Sequence, residues 1–569
     1  MTVSSATSGT SSTASSTSSS SGSTITTTGT TTSTSIDWGA LIDAEVNAKL
    51  VAATSISTTI TANEAKIAAY QTLQTDLATM ATGLTSLSSS IVNSLASNAF
   101  ATRAATISST GDVSASSALS MSVNNGSATG DHTLQISQLA TAQKVIGTAQ
   151  SSATAALGYT GTFTLGLAGG STADVSVNST MSMQDVVDAI NAQSSTTNVE
   201  ASIVQVSSGS YQLVLTGTQD AADITYSSDS TGDDVLNKLG VTNSTGAFSN
   251  VLQTSQAAVF KLDGISITRN TNDISDVLTG VTFDLLQPTP SGTTLNVSIG
   301  PDTSAISTAI QNFVTNYNAF RDAVIAQQAT GSDGTAASSA VLFGDSTMRD
   351  IMTQIEQVLG GSVGGLTMSD LGLSFNENNE LELNTGTLSS VLTTNLSGVA
   401  TLLSAQTTTS SSQLSVANTG NSPQSFTLDV TVDSTGALSG ASVGGDNSLF
   451  TINGSSIIGN AGTPYAGMAF IYSGSTSQSI TVTSTSGLAA QIYQIANTSA
   501  QSTGSLQTLI TNLQSRDDDL TSQVNDIQSA AATFKAQLQN QYANYQAAIE
   551  SANNTLGYLK ALLDAETSS

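Results

Sequence analysis

Four places in the chain carry residue types that could do chemistry. Gly360-Gly361-Ser362-Val363-Gly364 has the G-x-S-x-G spacing of a serine nucleophile elbow. Hydrolysis there needs a strand ahead of the serine, a histidine base and an acid to orient it. Helical spacing precedes the motif instead, and the only histidine is His132. The motif reads as a glycine-rich loop after a helix, and the hydrolase is rejected. Asp220, Asp223, Asp229, Asp233 and Asp234 could offer oxygen ligands to Ca²⁺. Their spacing fits no EF-hand loop, so they read as solvated acidic loops. Asp517-Asp518-Asp519 would favour the positive end of a helix dipole if a helix began nearby. His132 has no histidine or cysteine at ligand spacing. No catalytic residue, metal or cofactor is expected.

Composition points the same way. Only 9% of the 569 residues are charged, twelve are Lys or Arg, and the net charge is −28. A surface of that sign repels polyanions, so neither nucleic acid nor a membrane is expected as a partner. The absence of cysteine excludes disulfides, thiolate metal sites and a cysteine nucleophile. Met1 to Ser35 is uncharged and almost entirely Ser, Thr and Gly. It is expected to be disordered and, lacking a basic and an apolar region, not to be a cleaved signal peptide. No run of about 18 apolar residues offers a membrane span.

What the chain does carry is helical seams. In Ser505 to Leu563 the apolar positions Val524, Ile527, Ala531, Phe534, Leu538, Tyr542, Tyr545, Ile549, Ala552, Leu556, Leu559 and Leu563 step by three and four. One extra step of four, Leu538 to Tyr542, is a stutter that partly unwinds a left-handed supercoil. Tyr70, Leu73, Leu77, Met80, Leu84, Leu87 and Ile91 repeat the pattern near the other end of the chain, in a helical stretch from Ile36 toward Phe100. Such stripes need partners, within the chain or between chains. Ile306, Ile310, Phe313, Tyr317, Phe320 and Val324 predict a third helix over Thr303–Gln327. Asp345 can cap a fourth carrying Met348, Ile351, Met352, Ile355 and Leu359. A hairpin around Asn378-Asn379 and a helical stretch from Thr387 to Leu403 follow.

Between the helices the pattern is β. Phe163, Leu165 and Leu167 alternate, as do Val175 and Val177, then Tyr211, Leu213 and Leu215. Ser182-Met183-Gln184-Asp185 resembles a capping box opening a short helix with Val186, Val187 and Ile190. From Ala257 the expected order is strand, Asp263-Gly264 turn, strand, a short helix at Asp273 to Leu278, and strands at Val281–Leu286 and Leu295–Ile299. Phe426, Leu428 and Val430 alternate in a last β stretch, Gln413 to Thr485. The expected fold is α+β and multidomain: long terminal helices in a coiled-coil-like helical domain, with β-rich domains looped out. The divisions are 1–35 tail, 36–103 and 301–408 helical, 104–150 with 251–300 β-rich, 151–250 outer β-rich, 409–487 additional β-rich, 488–563 terminal helix and 564–569 tail.

The order of these pieces resembles the flagellar hook-associated protein 2 family, the flagellar filament caps. Ile36-Asp37-Trp38 through Leu50-Val51-Ala52-Ala53 opens the likeness, and Gly130 to Lys144 (GDHTLQISQLATAQK) continues it. Gly161 to Gly217, with Ala189-Ile190-Asn191, looks like a flagellin hook motif. Asp263-Gly264 with Asn272 to Thr282, Phe313-Val314 with Tyr317-Asn318, and Gly344 to Arg349 also fit. The resemblance implies a non-enzymatic cap at the distal end of the filament, exported by the flagellar type III route, which retains flagellin and promotes its folding and polymerisation. It implies a homo-oligomeric ring, commonly a pentamer. The further partners it implies are flagellin, the hook–filament junction protein and a cytoplasmic export chaperone at the carboxy-terminal helix. The seam residues are then the expected oligomer contacts. A second reading is an extracellular adhesin that binds glycans through its β domains.

Overall fold

A computed structural model describes residues 37–90, 93, 97–229, 231–420 and 425–567. The tail expected at 1–35, and Ile91 of the first seam, lie outside the described residues. The longer helices are α1 (Trp38–Ser88), α2 (Met183–Asn191), α3 (Thr303–Ala326), α4 (Ser346–Leu359), α5 (Thr385–Thr394), α6 (Leu396–Leu403), α7 (Leu488–Ala500) and α8 (Ser505–Thr567). The chain divides into two compact units. One holds the chain through Ala81, Asn316–Gln357 and Gln494 onward; the other holds Thr82–Thr315 and Val358–Tyr493.

The first unit is helical. Asp37 starts α1 by accepting the Ala40 amide at 3.0 Å, which satisfies one of the orphan donors of a helix start. Asp345 starts α4 in the same way, accepting from the amides of Thr347 (2.8 Å) and Met348 (3.3 Å). Its other oxygen accepts the Tyr70 hydroxyl of α1 at 2.5 Å, so one carboxylate caps α4 and fastens it to α1. Burial and then this hydrogen bond push the Tyr70 hydroxyl pKa above its ordinary value.

The second unit holds three β cores, each closed by its own strands, all antiparallel. The first joins a five-stranded sheet, in order Arg103–Ser109, Leu295–Pro301, Gly130–Gln138, Ala258–Leu262 and Ile265–Arg269, to a three-stranded one. Phe260, Phe283, Leu134 and Ile136 lie in its core. In the second, Val251–Gln253, Lys144–Ile146, Ser210–Gly217 and Val199–Ser207 form one sheet, and Thr172–Val177, Gly161–Leu167 and Ile224–Ser228 another. With α2 they enclose Phe163, Met183, Ile190 and Leu213. The expected capping box is present: Ser182 and Asp185 bond each other's backbone amides at 3.3 and 2.8 Å. Two four-stranded sheets between Gln406 and Thr485 form the third core, around Leu428, Phe470 and Ile480.

Three local expectations change. Asp273–Leu278 is a strand, not a short helix; it pairs with Val281–Leu285 and buries Ile274 against Phe283. Six residues with two β-branched side chains bury more as a pleated edge than as a helix with unpaired ends. The stretch from Thr387 to Leu403 breaks at Asn395, whose φ of −147° ends α5 while its side chain accepts the Gly398 amide and starts α6. The first helix stops at Ser88, short of Ile91.

Tyr70→Phe should lower the helical unit's unfolding free energy by about 1 kcal/mol, the net value of one hydrogen bond. Asp345→Ala removes that bond and the α4 cap together and should cost about 2 kcal/mol or more. Urea unfolding followed by circular dichroism would measure both, and equal losses would contradict the double role of Asp345.

Candidate functional site

The structure disperses the residues with chemical potential. Ser362 lies in a tight hairpin, Ser362–Val363 paired with Leu366–Thr367 across Gly364 and Gly365, which both have positive φ. The acidic residues near Asp229 serve local structure: Asp234 caps a one-turn helix and accepts from Tyr226, Asp233 accepts the Thr160 amide, and Asp229 accepts from Thr231. His132 Nδ1 and Asp263 Oδ2 are 2.8 Å apart, and Asp263 Oδ1 accepts the Thr133 amide at 2.8 Å. Asp263 sits at φ 51° beside Gly264 at φ 81°, the left-handed pair that a two-residue hairpin turn requires. The His132 bond, followed by the Thr133 bond, holds the Asp263 carboxyl below the usual carboxylate range. This contact ties a turn to the neighbouring strand and sits in no cluster of reactive groups.

The seams behave differently. α1 and α8 run antiparallel, and their contacts follow one steady progression. Trp38 lies against Tyr542 with ring centroids 4.9 Å apart. Asp43 pairs with Lys535 at 2.9 Å. Lys49 Nζ stands 4.6 Å from the centre of the Phe534 ring, a cation–π contact. Asn63 donates to Asp517 at 2.7 Å. Gln74 donates to Gln507 at 3.2 Å and to the Ala500 carbonyl at 2.9 Å. Between these ties Ile42 and Val46 of α1 share an apolar cluster with Ala531 and Leu538 of α8, flanked by Leu50, Phe534 and Tyr542.

Along the predicted seams, Tyr70, Leu73, Leu77, Met80, Leu84 and Leu87 are buried, as are Val524 and Leu538. Ile527 and Phe534 are half-buried. Past Tyr542 the picture reverses. Tyr545, Ile549, Leu556 and Leu559 are exposed, joined by Tyr558, Leu562 and Leu563. Leu538 retains 6% of its surface and Leu556 63%. The reason lies in where the partner starts: α1 begins at Trp38, beside Tyr542, while α8 continues to Thr567, about 37 Å further at 1.5 Å per residue. Sequence periodicity found both halves of the stripe but could not show that the fold covers only one.

A helical unit made from both ends of the chain, a terminal helix with an uncovered apolar stripe, and separate antiparallel β cores define a multidomain α+β subunit. Its segments match three family models in chain order: flagellar hook-associated protein 2 N-terminus over residues 34–143, flagellin hook IN motif over 162–219, and flagellar hook-associated protein 2 C-terminus over 255–554. The chain belongs to the flagellar hook-associated protein 2 family. It is 28% identical over 387 residues to flagellar hook-associated protein 2 of Escherichia coli K12, covering 65% of this chain and 78% of that relative. To the Salmonella typhimurium protein of the same name it is 30% identical over 233 residues, 39% of this chain and 48% of the relative. Among solved structures it resembles the D1-D2-D3 domains of the flagellar cap protein FliD from Escherichia coli, at 21% identity and a TM-score of 0.48, covering 78% of this chain and 99% of that one. No described helix is long and apolar enough to cross a membrane.

The two halves of the stripe should respond differently to a buried charge. Leu538→Asp places a carboxylate inside the α1–α8 seam and should destabilise the helical unit by several kcal/mol, whereas Leu556→Asp should leave the monomer's unfolding midpoint within about 0.5 kcal/mol of the parent. Equal effects in denaturant titrations of the monomer would refute the division. The acid response of the Asp263 turn also has a definite sign. Its folded pKa is depressed, so its contribution is present above the ordinary carboxylate range and is lost as pH falls through the folded value. Hydrogen exchange at the Thr133 amide should therefore accelerate below about pH 4 beyond its intrinsic pH trend, and Asp263→Asn should abolish that extra acceleration.

Proposed function

We propose that this protein caps the distal end of a bacterial flagellar filament, where it retains exported flagellin and promotes its folding and polymerisation. The observation that carries the reading is the uncovered stripe of α8, Tyr545 to Leu563, in a member of the hook-associated protein 2 family. Seven large apolar side chains exposed along one helix mark an interaction surface rather than scattered surface residues. Among the described residues the stripe stays exposed. Another chain would cover it, and further copies of this protein in a ring are the first candidate, with a pentamer the expected size. The relatives' shared name, flagellar hook-associated protein 2, supports a flagellar setting.

In this reading the protein is structural and extracellular, at the flagellum tip. Flagellin and the hook–filament junction protein are its neighbours in the filament, and α8 is the surface a cytoplasmic export chaperone would shield before assembly. The β cores are part of the cap in this reading. No observation on those cores favours glycan binding, so the adhesin is not carried forward.

The test is a double substitution on the stripe, Leu556→Asp with Leu559→Asp. Burying two carboxylates in a helix interface opposes association by several kcal/mol, and each 1.4 kcal/mol is tenfold. Self-association measured by sedimentation should fall by at least about a hundredfold while the monomer's helix content is retained. In cells lacking the native protein, the variant should leave filaments short and flagellin free in the medium. Unchanged oligomer mass with normal filaments would overturn the reading.

A further inference from the structure

Among the polar ties across the α1–α8 seam, the pair of Asn63 and Asp517 has an informative position. Asn63 shares a seven-residue repeat with Tyr70, Leu77 and Leu84, and those three are buried. Asp517 shares one with Ile510, Val524, Ala531 and Leu538, all buried. Thus Asn63 stands between Ile56 and the buried run from Tyr70 to Leu84, with exposed Lys49 the other polar member of its repeat, Asp517 interrupts the buried run from Ile510 to Leu538, and the two meet. Asn63, 6% exposed, donates from Nδ2 to Asp517 Oδ1 at 2.7 Å, and Asp517 Oδ2 is shielded from solvent with no hydrogen-bond donor. A carboxylate so placed stabilises little by comparison with a leucine. Its value lies in discrimination.

We infer that Asn63 and Asp517 form a register key that sets the height at which the two terminal helices dock. A slip of one heptad would set apolar side chains of the seam against apolar side chains again and would break ties nearer the surface, Asp43–Lys535 and Gln74–Gln507, which contribute little. After such a slip Asn63 would face Val524 or Ile510, and Asp517 would face Tyr70 or Ile56. The Asn63–Asp517 bond would then be lost, with both groups enclosed by apolar neighbours. A single buried polar position is a known means of fixing coiled-coil register at a cost in stability. The key also determines how much of α8 stays uncovered, since a one-heptad slip would lengthen or shorten the free stripe by about 10 Å. The register inference stands without the cap reading; only this last consequence rests on it.

The absence of native cysteine makes the test direct in the full-length chain. Asp43→Cys with Lys535→Cys reports the native register, and Asp43→Cys with Gln528→Cys or Tyr542→Cys reports a slip of one heptad to either side. With Asn63 and Asp517 intact, only the first pair should cross-link. In the Asn63→Leu, Asp517→Leu background the slipped cross-links should rise at least about tenfold while the melting temperature stays equal or increases. Asp517→Asn keeps a hydrogen-bonding pair and should hold the native register. If the leucine pair does not fold, Asn63→Leu alone is read on the same cysteines with the same expectation of slipping. Slipped cross-links that stay as rare in the leucine background as in the parent, or that appear with Asp517→Asn, would overturn the key. Neither result depends on whether the protein caps a filament.

Discussion

The structure depends on one physical requirement, the burial of two long apolar stripes that start at opposite ends of the chain. Neither α1 nor α8 can hide its stripe alone. Side by side and antiparallel, they remove Ile42, Val46, Ala531 and Leu538 from water in a single cluster. Ile42, Val46 and Leu538 each contribute about 1.5–3 kcal/mol when fully buried, and Ala531 less. Exposed ion pairs such as Lys535 with Asp43 add little beside that. The three β cores answer the same requirement locally, each closing two facing sheets over its own aromatic and aliphatic residues. A chain whose cores are separate can change one without unfolding the others.

Charge sharpens the argument for apolar assembly. With twelve cations against forty carboxylates, copies of this chain repel one another at long range. Several cations are also engaged within the chain. Lys535 and Lys49 tie α1 to α8, Arg269 holds Asp276, and Arg321 lies buried beside Asp322. Association of copies must overcome the residual repulsion through dehydrated contact, and in the proposed assembly the uncovered end of α8 would supply the surface for it. Physiological salt screens the repulsion beyond about 8 Å but leaves burial untouched. Assembly driven this way is therefore less sensitive to ionic strength than an ion-paired interface.

How much of this was legible in the sequence follows from the range of each signal. Three-four spacing located α1, α3, α4 and α8, because helix periodicity is local and repeats many times. Ser182 with Asp185, and Asp263-Gly264, announced a cap and a turn through side-chain chemistry confined to a few residues. The strand Asp273–Leu278 was misread because six residues carry too few periods to separate strand from helix; what decides it is Ile274 reaching Phe283. Asp517 was read as part of an acidic triplet early in the helix from Ser505; α8 does begin there, three turns ahead of it, so the carboxylate lies beyond the first turn where the dipole acts. Tracing only apolar residues skipped Asn63 and Asp517. Counting in sevens through Tyr70 and through Val524 would have exposed both. The extent of the covered stripe was not legible at all, because it depends on where two helices distant in sequence come to lie.

The solvent face of α1 explains why the seam carries so much weight. Thr54, Ser57, Thr58, Thr59, Thr61, Thr72, Thr75 and Thr79 each turn their hydroxyl back to the carbonyl four residues earlier. This satisfies the hydroxyl but adds nothing to the helix and tends to bend it. Threonine and serine are also weaker helix formers than the alanine, leucine or glutamate usual at such positions, by several tenths of a kcal/mol each. Summed along the helix, that deficit rivals the worth of one or two buried leucines. α1 thus relies on packing against its neighbours, α8 and, through Tyr70 and Asp345, α4. Past Tyr542, α8 lacks such packing among the described residues and keeps its large apolar side chains exposed.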